Sequence, residues 1–179
     1  MDQPPSRWKR KLAELEKEFE SRELELKVLR DLDQRLLAED GSLTDTCAFI
    51  ARALSNLTEL NQAEVLMRQR NVLEVVAAYP ETTWSSPLGL RDSVCGWCAL
   101  NAETVQIDDV LNNDKFSQLY KNFRDDQTIP MRSELAAPIK FGNVAVGVLN
   151  IENSRSRAFD THDRDVLETL FGTCLSASI

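Results

Sequence analysis

The chain has 179 residues and a mass of 20.3 kDa, with 29 acidic against 21 basic residues and a formal charge of −8. Apolar residues reach 42 %, enough for one folded core plus an accessory element, and no stretch approaches the ~20 apolar residues of a membrane span. A pI near 4.8 argues against a nucleic-acid partner, which needs a basic face, and the single histidine, His162, excludes a His-rich metal site.

From the N-terminus, Met1 to Arg10 carries charges with no apolar h-region behind it, which reads against a secretory signal and for a cytoplasmic protein. Half of residues 1–40 are charged, 9 basic and 11 acidic. Within them Trp8, Leu12, Leu15, Phe19, Leu26, Leu29 and Leu36 recur by alternating threes and fours, interrupted at Arg22 and Asp33. That spacing is a heptad seam, and polar residues in a seam fix register at a cost in stability. The seam predicts a long helix of coiled-coil type that dimerises. Leu24, Val28 and Leu32 form a second stripe, so the other arrangement is a lone amphipathic helix folded back on its own domain.

Asp40-Gly41-Ser42 marks a boundary, because Gly ends helices and Ser caps them. It divides the chain into a signalling and dimerisation helix, 1–40, and a domain, 41–179. A second helix over 43–59 keeps the seam register through Leu43, Cys47, Ile50, Leu54 and Leu57, and is expected to share the dimer face or pack on a neighbour's first helix.

Beyond residue 63 the period changes. Ala63 to Gln69 and Val72 to Ala78 predict a hairpin turning at Arg70-Asn71. A loop with Pro80, Trp84 and Pro87 follows, then a helix over 91–100, a strand over 104–108 and a helix over 114–123. Leu135 to Phe141 and Val144 to Ile151 flank Gly142-Asn143, a pair suited to a two-residue type II′ turn. Pro138 lacks a ladder donor, so its strand is expected to sit at an edge of the sheet or to carry a bulge there. The closing helix starts at Asp160 or Thr161, with Asp163 and Asp165 at its positive end and an apolar stripe through Val166, Leu167, Leu170, Phe171, Cys174 and Leu175. This order predicts an α+β fold: a mostly antiparallel sheet with helices on one face and long connections over the other. Those connections, residues 80–132, either enclose a ligand or roof a filled core.

Ser133-Glu-Leu-Ala-Ala-Pro-Ile139, the Gly142-Asn143 turn, Gly147-Val-Leu-Asn-Ile-Glu-Asn153 and Phe159-Asp-Thr-His-Asp163 together resemble the C-terminal half of a GAF domain. Cys95-Gly-Trp-Cys-Ala-Leu100, Glu103-Thr-Val105 and Ile107-Asp-Asp-Val110 are similar to an earlier step of the same family. The resemblance spans about 41–179. It implies a six-stranded antiparallel sheet, a ligand pocket between sheet and middle helices, and dimerisation through a helical bundle. It also implies a regulatory role in signal transduction, in which a small-molecule sensor passes a conformational change to a histidine kinase, cyclase, phosphodiesterase or transcription regulator. The effector would sit in the same chain or a partner, and the chain's end at Ser176-Ala-Ser-Ile179 suggests a fragment that has lost it.

Specialised members set further expectations. Bilin-binding domains attach their chromophore through a Cys, usually followed by His, in the region here reading Phe116 to Ile129, which has neither. Haem-binding members need an axial His, and His162 falls at a helix start, where it reads as a cap residue. Covalent bilin and haem are therefore disfavoured, and the cofactor stays unknown. Asn113, Lys115, Phe123, Asp125 and Asp126 echo the cyclic-nucleotide signature in composition without its spacing. Free methionine sulfoxide reductases share the step seen here as Val94-Cys95-Gly96, but their catalytic cysteine precedes the Ser-Glu strand, and no cysteine lies between Cys98 and Cys174. The chain is expected not to be an enzyme.

For a ligand pocket, Trp97, Phe116, Tyr120 and Phe123 would supply an aromatic lining, with Arg132 and Glu134 for polar groups. Phe116 and Phe123 could equally be core, and Arg132 a surface ion pair. Cys95 and Cys98 form a C-x-x-C without the βαβ context of a redox motif. Packing as small hydrophobes, a thiol switch, or a metal shared across a dimer are the three readings, and no metal site is expected within one chain. The functional expectation is a dimeric sensory module; the alternative is a ligand-free dimerisation scaffold.

Overall fold

The computed structural model describes residues 7–37, 42–81, 86–113, 115–120 and 130–172. Their elements run α1 (Arg7–Leu37), α2 (Leu43–Leu57), β1 (Gln62–Gln69), β2 (Val72–Tyr79), β3 (Leu88–Gly89), α3 (Val94–Asn101), β4 (Val105–Ile107), β5 (Ser133–Phe141), β6 (Val144–Asn153) and α4 (Thr161–Gly172). The strands form one six-stranded sheet in the order β3-β2-β1-β6-β5-β4, antiparallel at every pairing. Two hairpins distant in sequence, β1–β2 and β5–β6, meet along β1 and β6 from Gln62↔Glu152 to Met67↔Gly147.

Local chemistry explains most of the boundaries. Ser42 caps α2 by accepting the Asp45 N–H at 3.0 Å. Asp160 accepts the N–H groups of His162 and Asp163, while Asp163 accepts the Asp160 N–H at 2.9 Å, a reciprocal capping box at the start of α4. In the β5–β6 turn, Gly142 takes φ +60° and Asn143 is not among the positive-φ residues, as a type II′ turn requires. Pro138 pairs with Val148 on its inner side. On the outer side β4 reaches only from Glu134 to Ala136, so the missing donor faces no strand, and the register shifts just beyond, between Ile139 and Lys140.

Two expectations are corrected. Residues 115–119 form turns rather than a helix, although the Asn113 carboxamide accepts the N–H groups of Lys115 and Phe116 as a helix cap would. The helix expected from 91 begins only at Val94, where Ser93 caps it. The short strand β3 within the preceding loop was not foreseen.

The sheet has two dissimilar faces. One packs Ala63, Val65, Leu135, Ala137, Ile139, Leu149 and Ile151 against α1, α2 and α4. The α2 stripe is consumed here, with Cys47, Ile50 and Leu54 at most 2 % exposed. The second stripe of α1 also docks on this face through Val28 and Leu32, the latter 1 % exposed. Most of its seam stays outside, with Trp8, Leu12, Leu15, Phe19 and Leu26 48–64 % exposed, while Leu29 packs against the domain core. His162 Nε2 of α4 lies 3.2 Å from Glu25 Oε1 of α1, so the two helices are neighbours on this face. Leu32→Ala should cost about 2–5 kcal/mol in a denaturation curve. A cost near zero would mean that α1 is not docked.

Candidate functional site

The opposite face is apolar at one end and polar at the other. Leu66, Ala136 and Val148 pack with α3 in a second apolar cluster. Side chains on a strand alternate between faces, so Gln62 and Glu64 share the face of Leu66, Glu134 that of Ala136, and Asn150 and Glu152 that of Val148. Register then aligns them. Glu64 lies opposite Asn150, while Gln62 and Glu134 lie on either side of Glu152. All five are 0–1 % exposed.

Burying three carboxyls side by side on a sheet is costly unless each is paired or neutral. Some pairing exists. Asn150 Nδ2 donates to Glu64 Oε2 at 3.0 Å, and Gln62 Nε2 donates to Glu152 Oε2. The Cys95 thiol lies 3.7 Å from Glu134 Oε1. Three acceptors, Glu134 Oε2, Glu152 Oε1 and Asn150 Oδ1, receive no hydrogen bond of good geometry. Burial pushes the Glu134 carboxyl up to about 8, against a smaller lowering by Cys95. Burial first, and then the charges of Glu134 and Glu64, push Glu152 well above the usual carboxylate range. Burial therefore favours the protonated form of both carboxyls.

The walls come from α3 and the turns at 115–120. Ser93 Oγ accepts the Gly96 N–H at 3.0 Å and donates to Gly89 O at 2.7 Å, which seats α3 against β3. From α3, Cys95 faces Glu134 and Cys98 donates to Ala136 O. Trp97 meets Phe116 edge to face with ring centroids 5.3 Å apart, and Lys115 Nζ lies 4.2 Å from the Trp97 ring centroid. Tyr120 lies close to the carboxyls; burial and then Glu152, Glu134 and Glu64 raise its phenol.

The expected site residues divide accordingly. Glu134 lies in the polar row, Tyr120 beside it, and Trp97 and Phe116 form an aromatic pair on the same side of the sheet. Arg132 stands apart. Its guanidinium is held by both Asp109 oxygens, it keeps Asp109 well below the usual carboxylate range, and its carbonyl accepts the Val110 N–H at 2.8 Å. It clamps the segment after β4 to the start of β5. Phe123 lies outside the described residues. Burial raises the thiols of Cys95 and Cys98, and Glu134 raises both further, so neither is set up as a thiolate nucleophile. Gln62, Glu64, Asn150 and Glu152 were not among the expected site residues. Their signal is polar residues at every second position of strands otherwise made of Val, Leu and Ile.

In its chemistry the row is buried and rich in hydrogen-bond acceptors. Among the described residues no group of three or more His, Cys, Asp or Glu side chains has metal-holding geometry.

Comparison with known proteins places this arrangement. No curated protein matches the chain. Among solved structures it is similar to the GAF domain of an Acinetobacter phosphoenolpyruvate-protein phosphotransferase, at 19 % identity and TM-score 0.69, covering 86 % of this chain and 90 % of that one. It is likewise similar to a GAF sensor protein from Burkholderia vietnamiensis, at 19 % identity and TM-score 0.69, covering 88 % and 93 %. A free methionine-R-sulfoxide reductase from Neisseria meningitidis, in complex with its substrate, matches at 17 % identity and TM-score 0.63, covering 86 % and 91 %. Identities this low establish the fold alone. The family itself is established by sequence: the GAF domain matches residues 42–176, α2 through α4, and the chain belongs to the GAF domain family.

Proposed function

We propose that this chain is a small-molecule sensor that dimerises through α1 and passes a conformational signal to an effector module. The observation that supports it best is the polar row Glu64–Glu134–Asn150–Glu152 in an otherwise apolar sheet face. A scaffold that only dimerises gains nothing from carboxyls buried there, since apolar residues would pack at lower cost. Sensing rather than turnover fits the absence of any cysteine from residue 99 to 173. The reductases that share the fold are thiol enzymes, as the family resemblance implies, and the loop before β5 lacks their nucleophile.

Signal transmission needs a ligand that binds two arrangements of the helices with different affinity. The α1 helix suits that part: Val28 and Leu32 dock on the domain while the seam at Trp8–Phe19 faces outward, so a shift in docking turns the seam. A thermal-shift screen with small polar metabolites tests sensing directly. If no compound raises the melting temperature and the native mass is purely dimeric, the scaffold reading replaces this one.

Dimerisation has its own test. The protein is expected to sediment as a dimer at micromolar concentration. The double variant Leu15→Asp, Phe19→Asp should be a monomer with unchanged thermal stability of the domain. Each lost anchor is worth about 2 kcal/mol, which together raises the dimer Kd roughly a thousandfold. A wild-type monomer would overturn the proposal for α1.

A further inference from the structure

We propose that His162 is a pH-operated latch between α1 and α4: its protonated form pairs with Glu25 and holds the docked half of α1 on the domain, and its neutral form lets that half loosen. The inference needs no small-molecule ligand and concerns the helix to which the sensor reading gives the transmission of the signal.

It starts from where α1 meets the domain. Every residue from Arg7 to Glu20 is exposed, and burial begins at Ser21. Glu25 therefore lies near the fork between a free stem and a docked half, which Val28, Leu29 and Leu32 fasten farther along. At the fork a cleft of about 120 Å³ separates α1 from α4, with Leu29 and Val166 on its apolar side and Arg22, Glu25, His162 and Asp165 around it. The His162 side chain is 41 % exposed, and so open to protons from solvent, while that of Glu25 is 16 % exposed.

Glu25 is shared between two cations. Arg22 Nη1 donates to its Oε2 at 3.0 Å, which keeps the carboxylate paired within α1. Its Oε1 is buried and receives no hydrogen bond of good geometry, although His162 Nε2 is 3.2 Å away. That combination makes the contact depend on charge. A neutral imidazole needs alignment to gain from an acceptor, whereas an imidazolium is attracted at this distance in any orientation.

The charged groups facing His162 are Glu25 and Arg22 on α1 and Asp163 and Asp165 on α4, with Asp160 accepting its backbone N–H. Carboxylates outnumber the one guanidinium. They also oppose the dipole at the start of α4, which disfavours a cation. Arg155 and Arg157, in the turn before α4, are held by Glu59 and Asp108. Histidine is the side chain whose charge changes between pH 5 and 8, and this chain has one. Acid thus fastens α1 at the fork, and rising pH releases it. Release also frees Leu29, a seam position now packed on the core; any effect on self-association rests on the dimer reading above.

The test is hydrogen exchange of the full chain at pH 5.5 and 7.5, read by mass spectrometry over residues 22–32. Wild type is compared with His162→Gln, His162→Arg, Glu25→Gln and the double Gln variant. Comparing proteins at one pH cancels the intrinsic pH dependence of exchange. Wild type should be about threefold more protected than His162→Gln at pH 5.5 and close to equal at pH 7.5. His162→Arg, charged throughout, should exceed His162→Gln at both values. In the Glu25→Gln background, His162→Gln should change nothing. A ratio of wild type to His162→Gln that does not grow toward pH 5.5 would show a packing role alone and overturn the latch. So would a ratio that survives in Glu25→Gln, or an Arg variant no better protected than the Gln variant.

Discussion

Between pH 5.5 and 7.5 the protein should lose stability as pH rises, and Glu134→Gln should remove one proton's share of that loss. A carboxyl whose titration in the folded protein lies above its unfolded value binds more protons folded than unfolded in the interval between the two. Stability is then full below the unfolded value and declines as pH climbs toward the folded one. For Glu134 that interval runs from the ordinary 4.5 up to about 8. One proton of difference is worth about 1.4 kcal/mol per pH unit, so the two-unit span costs about 3 kcal/mol. Glu152 moves in the same direction for the same first reason, burial. The Asp109–Arg132 pair has the opposite sign but acts only in acid, since its carboxyl lies below the usual range. Urea denaturation of wild type and variant across this interval isolates the contribution of Glu134 as the difference between the two slopes. Parallel slopes would show that Glu134 is already ionised in the folded protein.

Gly96→Ala should destabilise the protein by about 3 kcal/mol, the upper part of the usual range for forcing volume into a packed site. A Cβ on residue 96 would stand 2.4 Å from Gly89 O and 2.6 Å from both Cα and C of Leu90. All three are backbone atoms, with no flexible side chain to give way. Helix propensity alone favours Ala over Gly by about 1 kcal/mol, so the expected loss is what the clash leaves after that gain. Since α3 carries Cys95 against Glu134, its displacement should disturb the polar row, and the variant should also lose ligand response. Gly142→Ala is a contrasting control: nothing lies within 4 Å of its Cβ, and only the φ of +60° resists. That substitution should cost about 1 kcal/mol. A Gly96→Ala protein as stable as wild type in denaturation would mean that α3 has room to move.

Much of the fold was legible because its signals are local. The β5–β6 hairpin follows from Gly142-Asn143, the start of α4 from Asp160 and Asp163, and the start of α2 from Ser42, each a contact within three residues. Over 115–119 periodicity misled: Phe116, Leu119 and Tyr120 imitate a helical stripe and Asn113 caps their start, yet these residues form turns, with Phe116 packed against Trp97. On α1 two apolar stripes were visible, and periodicity could not say which one meets the domain. The choice went to Val28 and Leu32, since only contact with α2 and α4 distinguishes the two.

The candidate site shows the same division. Glu134 could be nominated from its place beside the Ser133 strand start, and the aromatic residues from their density. Arg132 was nominated on the same ground, yet Asp109 holds it. Glu64, Asn150 and Glu152 stood in plain view as alternating polar residues, but alternation alone does not say which face is covered or what lies opposite. By itself the sequence determined the order of elements, their caps and turns, and membership of the family, because these depend on neighbours along the chain. Only the tertiary structure decided that Gln62, Glu134 and Glu152, drawn from three strands and up to 90 residues apart, share one buried row. Strand register sets that row, and a slip of one residue would turn every one of these side chains to the opposite face.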